Sequence, residues 1–202
     1  MNRKKSLRDR RRLLLTLLAL PWAGAHAADI RIVHSSVAPS GRNAMLRKLL
    51  VLGWGTRQDL RQPFEDAVAK ALSASGLQAV AAHTRMPAGS AVLREAVTRV
   101  VKAEGYDGVL VARLIATELA PAAAPADRIA PTLEHNLKQL ETPSAPVEDG
   151  KVAVTETSLY RASDGLKIWS AVTDVHNPRD LAKTTREFAL LMVDALRADK
   201  LI

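Results

Sequence analysis

The chain of 202 residues contains no cysteine. That removes thiol nucleophiles, thiolate metal ligands, disulfide staples and the acylated cysteine of a bacterial lipoprotein, so stability has to come from a packed core. Aromatic residues are scarce, with three Trp, two Tyr and two Phe. No stretch of the chain approaches the roughly 20 consecutive apolar residues that a membrane-spanning helix needs. Excess charge is also missing once the chain is divided, because residues 1 to 27 hold seven Lys and Arg against one Asp, whereas residues 28 to 202 hold 22 against 20. Most of the overall +8 belongs to the first segment. The remainder offers no basic stripe with stacking aromatics to follow a phosphate backbone, which argues against nucleic acid as a partner.

That first segment is itself a pattern. Arg3, Lys4, Lys5, Arg8 and Arg10 to Arg12 precede the apolar run Leu13 to Leu20, and Ala25-His26-Ala27 follows. A basic stretch, a short apolar stretch and an Ala-x-Ala exit make a secretory signal peptide, with cleavage expected between Ala27 and Ala28. Arg10-Arg11 invites a twin-arginine reading, but Arg12, Leu13 and Leu14 fit that signal poorly, so general secretion is expected. The product should be periplasmic, with no stable membrane anchor after cleavage.

Beyond Ala28, residues 28 to 47 show one alternating scrap, Ile30-Arg31-Ile32, followed by turn-formers including Pro39 and Gly41; they read as an amino-terminal arm. A single α/β domain is expected over 48 to 202. LLVLGW is a short apolar run ending at glycines, as a buried strand would be. Asp59 and Gln62 suit a capping box, and Leu60, Phe64, Val68 and Leu72 then recur at helical spacing until Gly76. LQAVAA reads as a second strand. Ser90 can cap a second helix carrying Val97 and Val101, stopped at Gly105, and DGVLVARLIATEL reads as a third strand. Strand, helix, strand, helix, strand with short links predicts parallel pairing. The full order is then β-α-β-α-β, a long loop, and β-β-α in a mixed sheet whose carboxy-terminal hairpin is antiparallel and is followed by a final helix.

The long loop is 119–149, with Pro121, Pro125, Pro131, Pro143 and Pro146. It reads as a mobile flap, with a short helix over PTLEHNLKQLE, bearing Leu133, Leu137 and Leu140, as the alternative.

Motifs that would carry chemistry fall short of it. Gly53-Trp54-Gly55 lacks the third glycine and the later acidic residue of a dinucleotide site, and reads as a tight strand-to-helix turn. His34, His83, His135 and His176 have no zinc-site spacing, so no metal and no cofactor are expected. Glu65 and Asp66 are neighbours on a helix and diverge by about 100°, which does not suit an acid and base pair sharing one substrate. No nucleophile elbow is present. Arg113 interrupts an apolar strand and should be paired, with Glu156 on the next strand as the candidate for a structural ion pair.

The segment TSLYRASDGLKIWS folds into a hairpin about ASDG, with Gly165 at the position needing positive φ. With a loop of Ser163-Asp164-Gly165, Tyr160 faces Ile168 and Leu159 faces Trp169. The side carrying Val152, Val154, Tyr160, Ile168 and Val172 is the better candidate for packing under helices. Leu159 and Trp169 are therefore expected to form a partly exposed patch open to a partner, against the alternative that a helix covers them as core.

RQPFEDAVAKALSASGLQAV, YDGVLVARL and TSLYRASDGLKIWS, with the final amphipathic helix, resemble a group of small bacterial envelope proteins of undefined function. Their element order is similar to that of the amino-terminal domain of the Tol system's periplasmic propeller protein, the curli secretion channel subunit and the outer-membrane lipoproteins that activate penicillin-binding proteins. The resemblance covers Leu49 to Ile202 apart from the Pro-rich loop, and its most specific element is the hairpin from Leu159-Tyr160 to Trp169. It implies a non-enzymatic protein acting by contact with an envelope protein partner. The alternative is a hydrolase or small-ligand-binding protein with its site at the strand ends and the Pro-rich loop.

Overall fold

A computed structural model of the protein describes residues 29–42, 44–54, 58–86, 93–116, 132–141, 152–176 and 180–202. The expected signal segment, its expected cleavage point at Ala27 and Ala28, the expected Ser90 cap and most of the Pro-rich loop lie outside the described residues. In chain order the elements are β1 (Asp29–Val37), β2 (Lys48–Trp54), α1 (Gln58–Ala74), β3 (Gln78–Ala81), α2 (Leu93–Glu104), β4 (Gly108–Ala116), α3 (Leu133–Glu141), β5 (Val152–Arg161), β6 (Lys167–His176) and α4 (Leu181–Ala198). Six strands form one sheet in the order β1-β6-β5-β4-β2-β3. β2 is parallel to both β3 and β4, and β4, β5, β6 and β1 pair antiparallel in succession. The mixed α/β sheet is thus as expected, with one strand added at its edge.

Helices cover both faces. Leu49 and Val51 of β2 face Leu72, Phe188, Met192 and Leu196 of α1 and α4, while Leu50 and Leu52 face Val97, Val101 and Leu137 of α2 and α3. A strand buried on both sides reads as a continuous apolar run, which is why LLVL shows no alternation. α1 starts at Gln58, one residue before the expected cap Asp59, and accommodates Pro63 inside. Among the described residues no helix is long and apolar enough to cross a membrane.

The added strand, β1, occupies what reads in the sequence as an arm. Its pairing with β6 slips between Ile32 and His34, so Val33 is an extra residue. Before the slip Ile30 and Ile32 point into the α1/α4 core; after it the inward phase moves to Val37. A bulge of this kind resets the period of two, and only three residues of alternation survive for a sequence reader to see. Arg31 ties the edge down through Asp174, opposite it in register, with Nε–Oδ1 at 3.0 Å and Nη2–Oδ2 at 2.9 Å.

In the Pro-rich segment the helical alternative is the one found over the described part. α3 buries Leu133 and Leu137, and Leu133 N donates to the Gly165 carbonyl at 2.8 Å. A second bulge corrects the hairpin. Leu159 pairs with Trp169 as expected, but Tyr160 pairs with Lys167 rather than Ile168. The loop is the four residues between Arg161 and Leu166, closed by Arg161 N to Leu166 O at 2.9 Å and Gly165 N to Arg161 O at 2.8 Å, with Gly165 at φ +69°. Ile168 therefore turns to the α1/α4 face beside Leu159 and Trp169, while Tyr160 alone joins the α2/α3 core.

Candidate functional site

Arg113 and Glu156 stand opposite each other across β4 and β5, and Arg113 Nη2 donates to Glu156 Oε2 at 2.6 Å. Glu156 is buried and Arg113 only partly so. On the same face of β5, Tyr160 is fully buried and its hydroxyl accepts from Asn136 Nδ2 at 2.9 Å. Burial disfavours the phenolate and pushes the Tyr160 hydroxyl up to about 12, with the Glu156 charge acting in the same direction. The group stays protonated at neutral pH and serves α3 as an anchor.

Leu159 and Trp169 require a correction. Both are 0 % exposed, inside the core formed with α1 and α4. The Trp169 indole N–H is satisfied by Asp199 Oδ2 at 2.7 Å, just beyond α4. The side judged poorer in apolar residues is roofed by the richest helix, α4, whose Phe188, Met192 and Leu196 supply the missing contacts. Neither residue offers a surface to a partner from within the folded chain.

Glu65 has a structural role that its adjacency to Asp66 concealed. It is fully buried at the carboxyl end of β2, where Oε1 accepts from Gly53 N at 3.0 Å and from Arg61 Nε at 2.8 Å, and Oε2 accepts from His83 N at 2.7 Å. One carboxylate thus joins β2, α1 and the turn after β3. Gly53 permits it, because a Cβ there would meet Phe64 Cδ1 at 2.8 Å. Asp66 points outward to His83 Nε2 at 2.8 Å. Among the described residues no group of three or more His, Asp or Glu could hold a metal ion.

Above this knot the structure opens a feature that sequence periodicity missed. A cleft of about 830 Å³ lies between α1 and α4 at the carboxyl end of the parallel strands. Its floor includes Gly53, Ala112, Thr155 and Val175, one from each of β2, β4, β5 and β6. Leu60, Phe64, Ala67 and Ala71 line the α1 wall, and Ala182, Thr185, Phe188 and Ala189 the α4 wall. The helices touch through Phe64 and Phe188, whose ring centroids are 5.3 Å apart. Elsewhere small side chains leave the space unfilled. At the rim Leu181 and Leu190 are 45 % and 59 % exposed. Ala67, Ala71 and Ala74 on α1, three and four apart beside the larger residues, were the available sequence signal.

Among the described residues the charges around the cleft are Arg61, Lys70, Arg186 and Asp66. Arg61 is engaged by Glu65 and Asp66 by His83. Lys70 on α1 and Arg186 on α4 have no ionic partner among the described residues. The cleft can receive a bulky apolar group and hold negative charge at its edges. Among the described residues its lining presents no acid and base aimed at a common point.

No family model and no curated protein matches the chain. Solved structures are similar at low identity. The PelC dodecamer from Paraburkholderia phytofirmans has 15 % identity and a TM-score of 0.47, covering 84 % of this chain and 96 % of that one. The LpoB C-terminal domain from Salmonella enterica has 13 % identity and a TM-score of 0.42, covering 68 % of this chain and 88 % of that one.

Proposed function

We propose that the chain is an exported, non-enzymatic protein of the bacterial envelope that acts in the periplasm by binding a protein partner, with the α1/α4 cleft as its contact surface. The cleft is the observation that carries this. Folded proteins rarely leave large apolar surfaces open without a use for them, and here Leu181 and Leu190 stand exposed over a hollow lined by Phe64, Phe188 and alanines. Catalysis needs titratable groups converging on a reacting atom, whereas the carboxylates nearest the cleft, Glu65 and Asp66, are each engaged by neighbours. A signal peptide ending at Ala27 supplies the address. The concavity favours a second reading, because its volume lies within the range of small-molecule pockets.

Photo-crosslinking in intact cells distinguishes the two. A reactive residue placed at Leu190 should give a discrete protein adduct, while one at the exposed Lys102 on α2 should not. A Leu190 probe that captures no protein, or captures only what Lys102 captures, contradicts the proposal.

A further inference from the structure

The cleft constrains what can enter it, and we infer that its occupant is an acidic amphipathic helix of a protein partner. This rests on the cleft being a protein-binding surface and adds the chemistry of what it binds. The first constraint comes from the backbone of the occupant. Apart from Thr155, Thr184 and Thr185, the uncharged lining residues present apolar side chains or a glycine. An extended peptide laid there would leave amide and carbonyl groups without partners, at a cost for each that a few hydroxyls cannot offset. Strand addition is closed off as well, since the sheet edges are β1 and β3 and neither contributes to the lining. A helix satisfies its own backbone and presents only side chains.

The second constraint is shape. The α1 wall runs from Leu60 to Ala74, about 21 Å at the helical rise, which matches some four turns of a partner helix. The contact between Phe64 and Phe188 keeps the walls too close for a helix backbone to reach the sheet. Side chains at helical spacing can descend instead toward Ala112, Thr155 and Val175.

The third is charge. Lys70 stands on one wall and Arg186 on the other, both exposed and both without an ionic partner among the described residues. Acidic flanks on the incoming helix would meet a cation on either side. The same charges weigh against a second copy of this chain. Met45, the most exposed large apolar side chain among the described residues at 82 %, sits between Arg42 and Arg47, so inserting it would set like charges against Lys70 and Arg186.

Two fluorescent, stapled peptides of about 14 residues test this, each with Leu or Phe at the first, fourth, fifth and eighth positions and either Glu or Lys on the flanks. By fluorescence anisotropy at low salt the Glu peptide should bind about tenfold tighter than the Lys peptide. Raising salt to about 0.5 M should shrink that ratio toward one. The double change Lys70→Glu, Arg186→Glu should invert it. Ala182→Trp, at an exposed position on the α4 wall, should weaken the Glu peptide at least about tenfold while leaving the melting temperature close to the parent. Equal affinity for the two peptides, indifference to the charge reversal, or no binding of either overturns the inference. So does a one-to-one oleate complex in native mass spectrometry that Ala182→Trp abolishes while neither peptide binds, which would make the occupant an acyl chain. A protein adduct at Leu190 together with peptide failure would refute the acidic helix and leave the protein-binding surface standing. Peptide binding with no adduct in cells would contradict the protein-binding surface itself, and the acidic helix of a partner would fall with it.

Discussion

Replacing Trp169 with alanine should cost about 4 kcal/mol of folding stability. The indole is 0 % exposed, and a buried Trp removes roughly 150–250 Å² from water. At about 25 cal/mol per Å² that is some 4–6 kcal/mol, which falls to about 3–4 once residual compaction of the unfolded chain is allowed for. The lost hydrogen bond from Nε1 to Asp199 Oδ2 adds about 1 kcal/mol, limited because Asp199 is partly solvated. For a chain of this size the melting temperature should fall by about 10 °C or more. Trp169→Phe separates the parts, keeping most of the packing and removing only the donor, with an expected loss of about 1–2 kcal/mol. Urea denaturation followed by circular dichroism measures both. If Trp169→Ala costs less than about 1 kcal/mol, the residue is not core and the burial argument for the hairpin fails.

Tyr160 should make stability fall in alkali. Its folded value of about 12 exceeds the ordinary 10, so the protonated form is held by the native state. That contribution is complete below pH 10 and is lost as pH rises through about 12, amounting to about 3 kcal/mol. Comparing Tyr160→Phe with the parent across that window should show a shallower decline in the variant; parallel curves would contradict it. Glu65→Ala should cost about 3 kcal/mol, because it orphans the Gly53 and His83 amides and the Arg61 guanidinium together. Its denaturant midpoint measures this, and a loss below about 1 kcal/mol would mean that water replaces the carboxylate. Mass measurement of the exported protein should place its amino terminus at Ala28, and a retained precursor would remove the periplasmic address.

What could be read in the sequence was whatever repeats or is punctuated. LLVLGW, the Leu60-to-Leu72 spacing, the glycines after both helices and the ASDG turn mark β2, α1, α2 and the hairpin, because each is specified locally. The Arg113 and Glu156 pairing follows from a single basic residue on β4 and a single acidic residue on the neighbouring β5. The misses share a cause. The bulge at Val33 shifts the facing of the rest of β1 and hides that strand, and the bulge at Ile168 turns that residue to the opposite side while Trp169 keeps its expected partner. Leu159 and Trp169 were misjudged because their own strands carry threonines on that face, and their burial depends on α4 folding back over them. The cleft is hidden for a related reason: alanines at Ala67, Ala71 and Ala182 look like helix filler until two helices stand side by side.

The claim that the cleft is the working surface is tested most directly by amide hydrogen exchange on the chain alone and in complex with the protein captured at Leu190. Binding should slow exchange along α1 from Leu60 to Ala74 and along the first half of α4, and leave α2 and the β1 edge unchanged. Protection confined to β1 or α2, with α1 and α4 exchanging as before, would place the contact elsewhere and contradict the account.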